Sequence, residues 1–249
     1  MILARDGLRE LILSSLTLGS GGGLAAWAAI TGSPWWWLAA GPLLALWLFT
    51  LAFFRDPDRT IPTEPGRLVS PADGTVTEVT RLPESEGFEG PAVRIGIFLS
   101  LFNVHINRSP CAGRVIRTDY RPGEFLDARH PESGVRNEAM TIRIEPDADV
   151  PGPIIVRQVA GLVARRIVCR VAAGDRVTRG GRFGLIKFGS RTELILPDRP
   201  EVRAVVRVGD RVRGGSSVLV HVERNCSHQA DDDVNTAAAD DDISTAAAN

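Results

Sequence analysis

Lysine is almost missing from this chain. Of its 29 lysines and arginines only Lys187 is a lysine, a bias that reads as genome composition. Cysteine is scarce too. Cys111, Cys169 and Cys226 are odd in number and widely spaced, which argues against a disulfide framework or a zinc motif and fits a reducing, cytosolic setting. Neither charge is in surplus: the net charge is −1, so the footprint of a nucleic-acid binder is absent. Beyond residue 60 no long segment repeats with the helical period of 3.6. The Gly-x-Ser-x-Gly elbow of many hydrolases is absent at Ser190.

Charge itself is missing from Leu11 to Thr31 and from Trp35 to Phe54. Each run is about 20 residues, the length that crosses a bilayer. Pro34 and Trp35-Trp36-Trp37 lie between them, as an interfacial turn requires, and all five tryptophans fall in the first fifty residues. Arg5 and Arg9 flank one end, Arg55 and Arg59 the other. A two-span hairpin with both ends in the cytoplasm follows from the positive-inside rule. A cleaved signal peptide, a buried soluble hairpin weakened at Gly19–Gly23 and a shallow monotopic hairpin are the competing readings.

From Arg67 onward short Val/Ile-rich runs alternate with Gly, Asp and Pro, the texture of strands and turns. Two segments share a rhythm. Arg166-Ile167-Val168-Cys169 leads to Gly174-Asp175-Arg176-Val177, and Val202-Arg203-Ala204 leads to Gly209-Asp210-Arg211-Val212. That rhythm belongs to barrel-sandwich, biotinyl/lipoyl-like modules, with Gly-Asp as a tight hairpin turn. The expected fold is mainly β, a β-rich α+β core of that kind behind an N-terminal hydrophobic helical hairpin. Residues 1–60 form the hairpin and 61–225 the β-rich domain. Residues 226–249, with their repeated Ala-Asp-Asp-Asp, read as a disordered acidic tail.

Chemistry centres on Lys187-Phe188-Gly189-Ser190-Arg191. A serine hydroxyl can attack the carbonyl of the preceding glycine, exchanging an amide for an ester. β-Elimination then leaves a dehydroalanine that hydrolyses to a pyruvoyl group. Glycine suits the electrophile because it tolerates strained backbone. Asp73 in Ser70-Pro71-Ala72-Asp73-Gly74, and His105 in Asn103-Val104-His105-Ile106-Asn107-Arg108, complete a possible relay. His105 would take the Ser190 proton, and Asp73 would orient the imidazole. His130, His221 and His228 are the other histidines. The Arg136-Asn137-Glu138 run reads as solvated polar residues.

Those segments, together with Phe53-Phe54-Arg55-Asp56-Pro57-Asp58-Arg59, occur in the order seen in phosphatidylserine decarboxylase proenzymes. The chain resembles the short form of that family over roughly residues 50 to 222. The resemblance implies self-cleavage between Gly189 and Ser190 into a β chain 1–189 and an α chain 190–249. Ser190 would become a covalent pyruvoyl cofactor that forms a Schiff base with the substrate amine, and no metal is implied. Asp73 and His105 match the family's acid and base positions. The implied reaction is decarboxylation of phosphatidylserine to phosphatidylethanolamine at the cytoplasmic side of the cell membrane. The implied partners are the phospholipid substrate and the two product chains as a heterodimer, with a higher oligomer open.

Two departures stand out. Longer members carry a second histidine where this chain has Phe102, and they read Leu-Gly-Ser-Thr where this chain reads Phe-Gly-Ser-Arg. Arg108, Arg136 and Arg191 are candidates for the headgroup's anionic groups. The alternatives are a membrane-tethered carrier or adaptor, modified on Lys187, and a serine hydrolase using Ser190, His105 and Asp73.

Overall fold

The computed structural model describes residues 2–83, 88, 90–130, 132–147, 150–162, 166–187 and 189–223. The acidic tail, Cys226 and His228 lie outside the described residues, as does Phe188.

Two helices open the chain, α1 (Leu8–Thr31) and α2 (Pro34–Phe53), each long and apolar enough to cross a membrane. The glycines of α1 do not break it; they let α2 come close. A Cβ on Gly22 would stand 2.8 Å from Leu44, and one on Gly19 would stand 3.2 Å from the Trp47 ring. The Trp47 indole N–H donates to Ser15 Oγ at 3.1 Å. The outward surfaces stay apolar and bare: Trp27, Ile30, Trp35 and Leu38 are all about two-thirds exposed or more. Large apolar patches left bare mark a surface that meets another apolar surface.

The rest of the chain is strand-rich and antiparallel. Its labelled strands are β1 (Gly74–Leu82), β2 (Ala92–Leu99), β3 (Ile106–Arg108), β4 (Gly113–Arg121), β5 (Ala139–Pro146), β6 (Ile154–Val159), β7 (Arg182–Lys187) and β8 (Ser190–Pro197). A curled eight-stranded sheet runs in the order Arg176–Val177, β4, β5, β6, β8, β2, β1, Arg211–Val212. Arg166–Cys169, β7 and β3 make a second sheet; Val202–Ala204, Val218–Val222 and Arg67–Val69 make a third. Alternation builds the core. Ile142, Val156, Leu194, Ile95 and Val79 stand opposite one another across five neighbouring strands, and the first four are buried to within 1%. The other face of the same strands carries charge, with Arg157, Glu193, Arg191, Glu78 and Arg94 in mutual ion pairs.

The two Gly-Asp turns exist, but they are not hairpins between consecutive strands. Gly174 and Gly209 take φ of 99° and 98°, where glycine is favoured because it has no Cβ. Asp175 and Asp210 then accept the Ala172 and Arg207 amides at 2.8 Å. Each turn carries the chain from one sheet to another, and the short strand after it covers an edge of the large sheet: Arg176–Val177 on β4 and Arg211–Val212 on β1. The strands those short strands cover open alike. Ser70 Oγ donates to the Ala72 carbonyl, and Ser109 Oγ donates to the Cys111 carbonyl, both at 2.7 Å. Ser-Pro-x-x-Gly thus opens β1 and β4 alike.

The segment leaving α2 is tied to this core. Asp56 is buried and accepts from Arg108 at 3.0 Å and from Arg182 at 2.6 Å, and a two-residue ladder joins Ile2–Leu3 to Arg55–Asp56. Removing one partner of a buried ion pair strands the other charge. Asp56→Asn should therefore lower stability by about 3 kcal/mol, read by denaturant unfolding in detergent, while Asp58→Asn, whose carboxylate is exposed, should change little.

Candidate active site

The Gly189–Ser190 bond lies where the chain leaves one sheet for another. Lys187 ends β7, and Ser190 opens β8, pairing with Leu99 of β2. β8 is buried along its whole length and bonded on both sides, to β2 and β6. Turning from β7 into β8 requires a left-handed step, and Gly189 takes it with φ of 67°. Ser190 is fully buried, and its Oγ has no hydrogen-bond partner among the described residues. An unbonded buried hydroxyl is unusual and marks either strain or chemistry.

His105 stands beside it. The Gly189 amide donates to His105 Nε2 at 3.3 Å, and Nδ1 lies 3.0 Å from the Asn103 carbonyl. A carbonyl only accepts, so Nδ1 carries the proton and Nε2 presents its lone pair to the Gly189–Ser190 step. Asn103 is set by its own turn, in which its Oδ1 accepts from the Ser100 amide at 2.9 Å and the Ser100 hydroxyl at 2.7 Å. Burial, with a smaller push from Arg55, lowers the imidazole pKa to about 4. The ring is therefore neutral across the physiological range.

Asp73 is elsewhere in the hydrogen-bond network. Its Oδ2 accepts from Arg59 at 2.6 Å and its Oδ1 from the Gly214 amide at 2.8 Å; neither oxygen bonds the imidazole. The orienting acceptor expected from the Ser/His/Asp relay is thus, in the uncut chain, the Asn103 carbonyl. Burial raises the Asp73 pKa and outweighs the opposing pull of Arg59.

The segment that follows the hairpin reaches each of these groups. The Phe53 ring lies on His105, with centroids 4.3 Å apart and planes 30° from parallel. Arg55 donates to the Phe102 carbonyl at 2.6 Å. Asp56 holds Arg108 and Arg182, and Arg59 holds Asp73. Physical contact with the site accounts for Phe53, Arg55, Asp56 and Arg59 of the motif.

The three arginines singled out from the sequence are all engaged within the protein. Arg108 binds Asp56, Arg191 binds Glu78 and Glu193, and Arg136 binds Glu124 and Glu132. Asn137, read as solvated, is fully buried and ties the 126 loop to Ala160 through three hydrogen bonds. Lys187 is buried too, with Nζ 2.7 Å from Glu10 Oε1, which removes the exposed lysine that a carrier needs. His130 and His221 take no part in the arrangement around Ser190: His130 accepts from the Glu132 amide, and His221 lies in the third sheet.

Two features escape a reading of the sequence. Gly161 is one: a Cβ there would stand 2.3 Å from the Gly189 carbonyl oxygen, so that carbonyl rests against a position that only glycine leaves open. The other is Arg129. It flanks a cavity of about 210 Å³ that reaches Gly189. Neither glycine in a loop nor arginine among many others carries a local signal.

Comparison with known proteins agrees with this arrangement. The family model for phosphatidylserine decarboxylase matches residues 46–220, which include the post-hairpin segment, His105 and the Gly189–Ser190 step. A phosphatidylserine decarboxylase proenzyme of Rhodopirellula baltica is 41% identical over 221 residues, 88% of each chain. The proenzyme of Symbiobacterium thermophilum is 49% identical over 74% of this chain and 83% of its own. That of Pelobacter propionicus is 46% identical over 70% and 77%. With the match running through the elements that build the site, the chain belongs to the phosphatidylserine decarboxylase family.

Proposed function

We propose that the chain cuts itself between Gly189 and Ser190 and then, as a pyruvoyl enzyme, converts phosphatidylserine to phosphatidylethanolamine. The observation that carries this reading is the buried, unbonded Ser190 hydroxyl next to a glycine at φ of 67°, with a neutral imidazole lone pair aimed at the same step.

Self-cleavage follows from these residues. Once the Gly189 amide releases His105 Nε2, Ser190 Oγ adds to the Gly189 carbonyl carbon and Nε2 takes its proton. The C–N bond breaks, and the proton passes to the leaving nitrogen, giving an ester. Loss of the Ser190 α-proton expels the Gly189 carboxylate, which ends the β chain 1–189. Water then replaces nitrogen on the dehydroalanine left behind, ammonia departs, and the α chain 190–249 starts with a pyruvoyl group. The full burial of Ser190, with no hydrogen-bond partner for its Oγ among the described residues, suits such a group. When present, it supplies a carbonyl that takes up the substrate amine and an adjacent amide that draws off the electrons released with CO₂.

The chain's own groups do the rest. His105 supplies a proton at that carbonyl, through an imidazole that becomes exposed to the substrate once the Gly189 amide has moved, while Asp73 stays paired with Arg59. The hairpin holds the catalytic domain at the cytoplasmic surface of the cell membrane, where its lipid substrate resides. The two product chains stay paired through β8.

Three outcomes test this. Ser190→Ala should remain one chain by denaturing mass spectrometry, whereas the wild type should give two chains meeting at 189/190, the smaller with a blocked N-terminus. Gly161→Ala should fold yet cleave about a hundredfold more slowly, the scale of loss for an ångström-sized displacement of reacting atoms. The pH dependence follows from His105: its folded pKa, about 4, lies below the unfolded value of about 6.5. Fold stability is thus complete above about pH 6.5 and declines as pH falls toward 4. The self-cleavage rate should be flat from about pH 6 to 8 and drop only near pH 4; a midpoint near 6.5 would exclude this imidazole as the base.

A further inference from the structure

The cavity beside Gly189 has an apolar rim on one side and a charged one on the other. Leu101, Leu162 and Phe98 form the first, Asp127 and Arg129 the second. At about 210 Å³ it has room for a headgroup and not for two acyl chains, since pockets that enclose a drug-sized ligand start near 300 Å³. The chains must stay outside it.

What lies outside is fixed by the hairpin. Phe102, the neighbour of Leu101, is 76% exposed, and Leu162 across the mouth is 63% exposed. Both are large apolar side chains, and the described residues of the domain leave both exposed. The Phe102 ring meets Phe49 of α2 edge-on, with centroids 6.1 Å apart. Phe53, one turn further along α2, is buried in the domain, so Phe49 sits about 6 Å further back along the helix, toward the lipid. Arg55 clamps the Phe102 carbonyl at 2.6 Å and keeps the loop at that depth. The bare apolar surface of the hairpin therefore continues onto the Leu101–Phe102 turn and faces Leu162. On the polar side, Arg129 lies 5.6 Å above the Phe98 ring with its guanidinium on Asp127. An arginine with an apolar stem and a wet head suits the phosphate layer of a bilayer.

We propose that the Leu101–Phe102 turn and Leu162 are two lips that enter the acyl-chain layer of the membrane, so that a phospholipid slides laterally, head first, into the cavity at Gly189. The occupant of this surface is a lipid monolayer. The inference rests on the decarboxylase reading for its substrate and on the hairpin for its depth.

Two measurements on the full chain in phosphatidylserine-containing vesicles test it. In the first, a fluorophore is placed on Leu162→Cys with Cys169 and Cys226 replaced by serine; Cys111 can stay, because burial pushes its thiol up to about 12. Quenching by nitroxides on the lipid acyl chains is expected, and quenching by aqueous iodide alone would overturn the proposal. In the second, Phe102→Ser/Leu162→Ser is compared with wild type on vesicle-borne and on monodisperse short-chain phosphatidylserine. The ratio of the two turnover rates should fall about tenfold, the scale expected when an apolar side chain loses its lipid contact; an unchanged ratio would overturn it. A wild type that releases no CO₂ from either substrate would count against the decarboxylase reading, while the quenching result would still decide the lips.

Discussion

The hydrogen bond from the Gly189 amide to His105 Nε2 orders everything around it. It requires the imidazole to be neutral with its proton on Nδ1, and burial provides the neutrality. It requires a fixed acceptor for that proton, and the Asn103 turn provides the carbonyl. It requires Gly189 to face back toward β3, which only a left-handed residue between β7 and β8 allows. Removing any one of these conditions leaves a buried polar group without a partner, a loss of about 1–3 kcal/mol. The site is held in place by ordinary rules of polar burial.

Anchor and catalyst are a single construction. Phe53 is at once the last residue of α2 and the surface on which His105 lies. Asp56 and Arg59 continue from it into the core, each through a guanidinium contact. A displacement of the hairpin would therefore reach the imidazole through one ring contact and the Asp73 carboxyl through one ion pair. This explains why a stretch of sequence so far from Ser190 travels with it as a motif.

Much of this was legible in the sequence. The charge-free runs at 11–31 and 35–54 marked the two helices to within three residues, because hydropathy is a property of composition alone. Val/Ile alternation marked the strands. His105 lies against the Gly189 amide, whereas Ser190 Oγ, whose proton it was expected to take, has no hydrogen-bond partner among the described residues. Strand pairing was not legible. The Gly-Asp turns looked like hairpins because turn chemistry is local, whereas the partners of Arg176 and Arg211 are chosen by a long-range sheet. The partner of the imidazole was missed for a similar reason, since a backbone carbonyl has no letter in the sequence. Gly161 was silent because a close approach between two loops leaves no periodicity behind.

The paired Ser-Pro-x-x-Gly turns carry a last consequence. Ser70 and Ser109 make the same internal bond, and Gly215 and Gly180 donate to their carbonyls at the same 2.8 Å. The two turns are thus built alike and are each pinned by a glycine amide from a distant loop. At the position where one has Asp73, the other has Ala112. A single carboxyl, paired with Arg59, is all that distinguishes one turn's chemistry from the other's, so the same backbone serves once as plain scaffold and once as the seat of a buried ion pair.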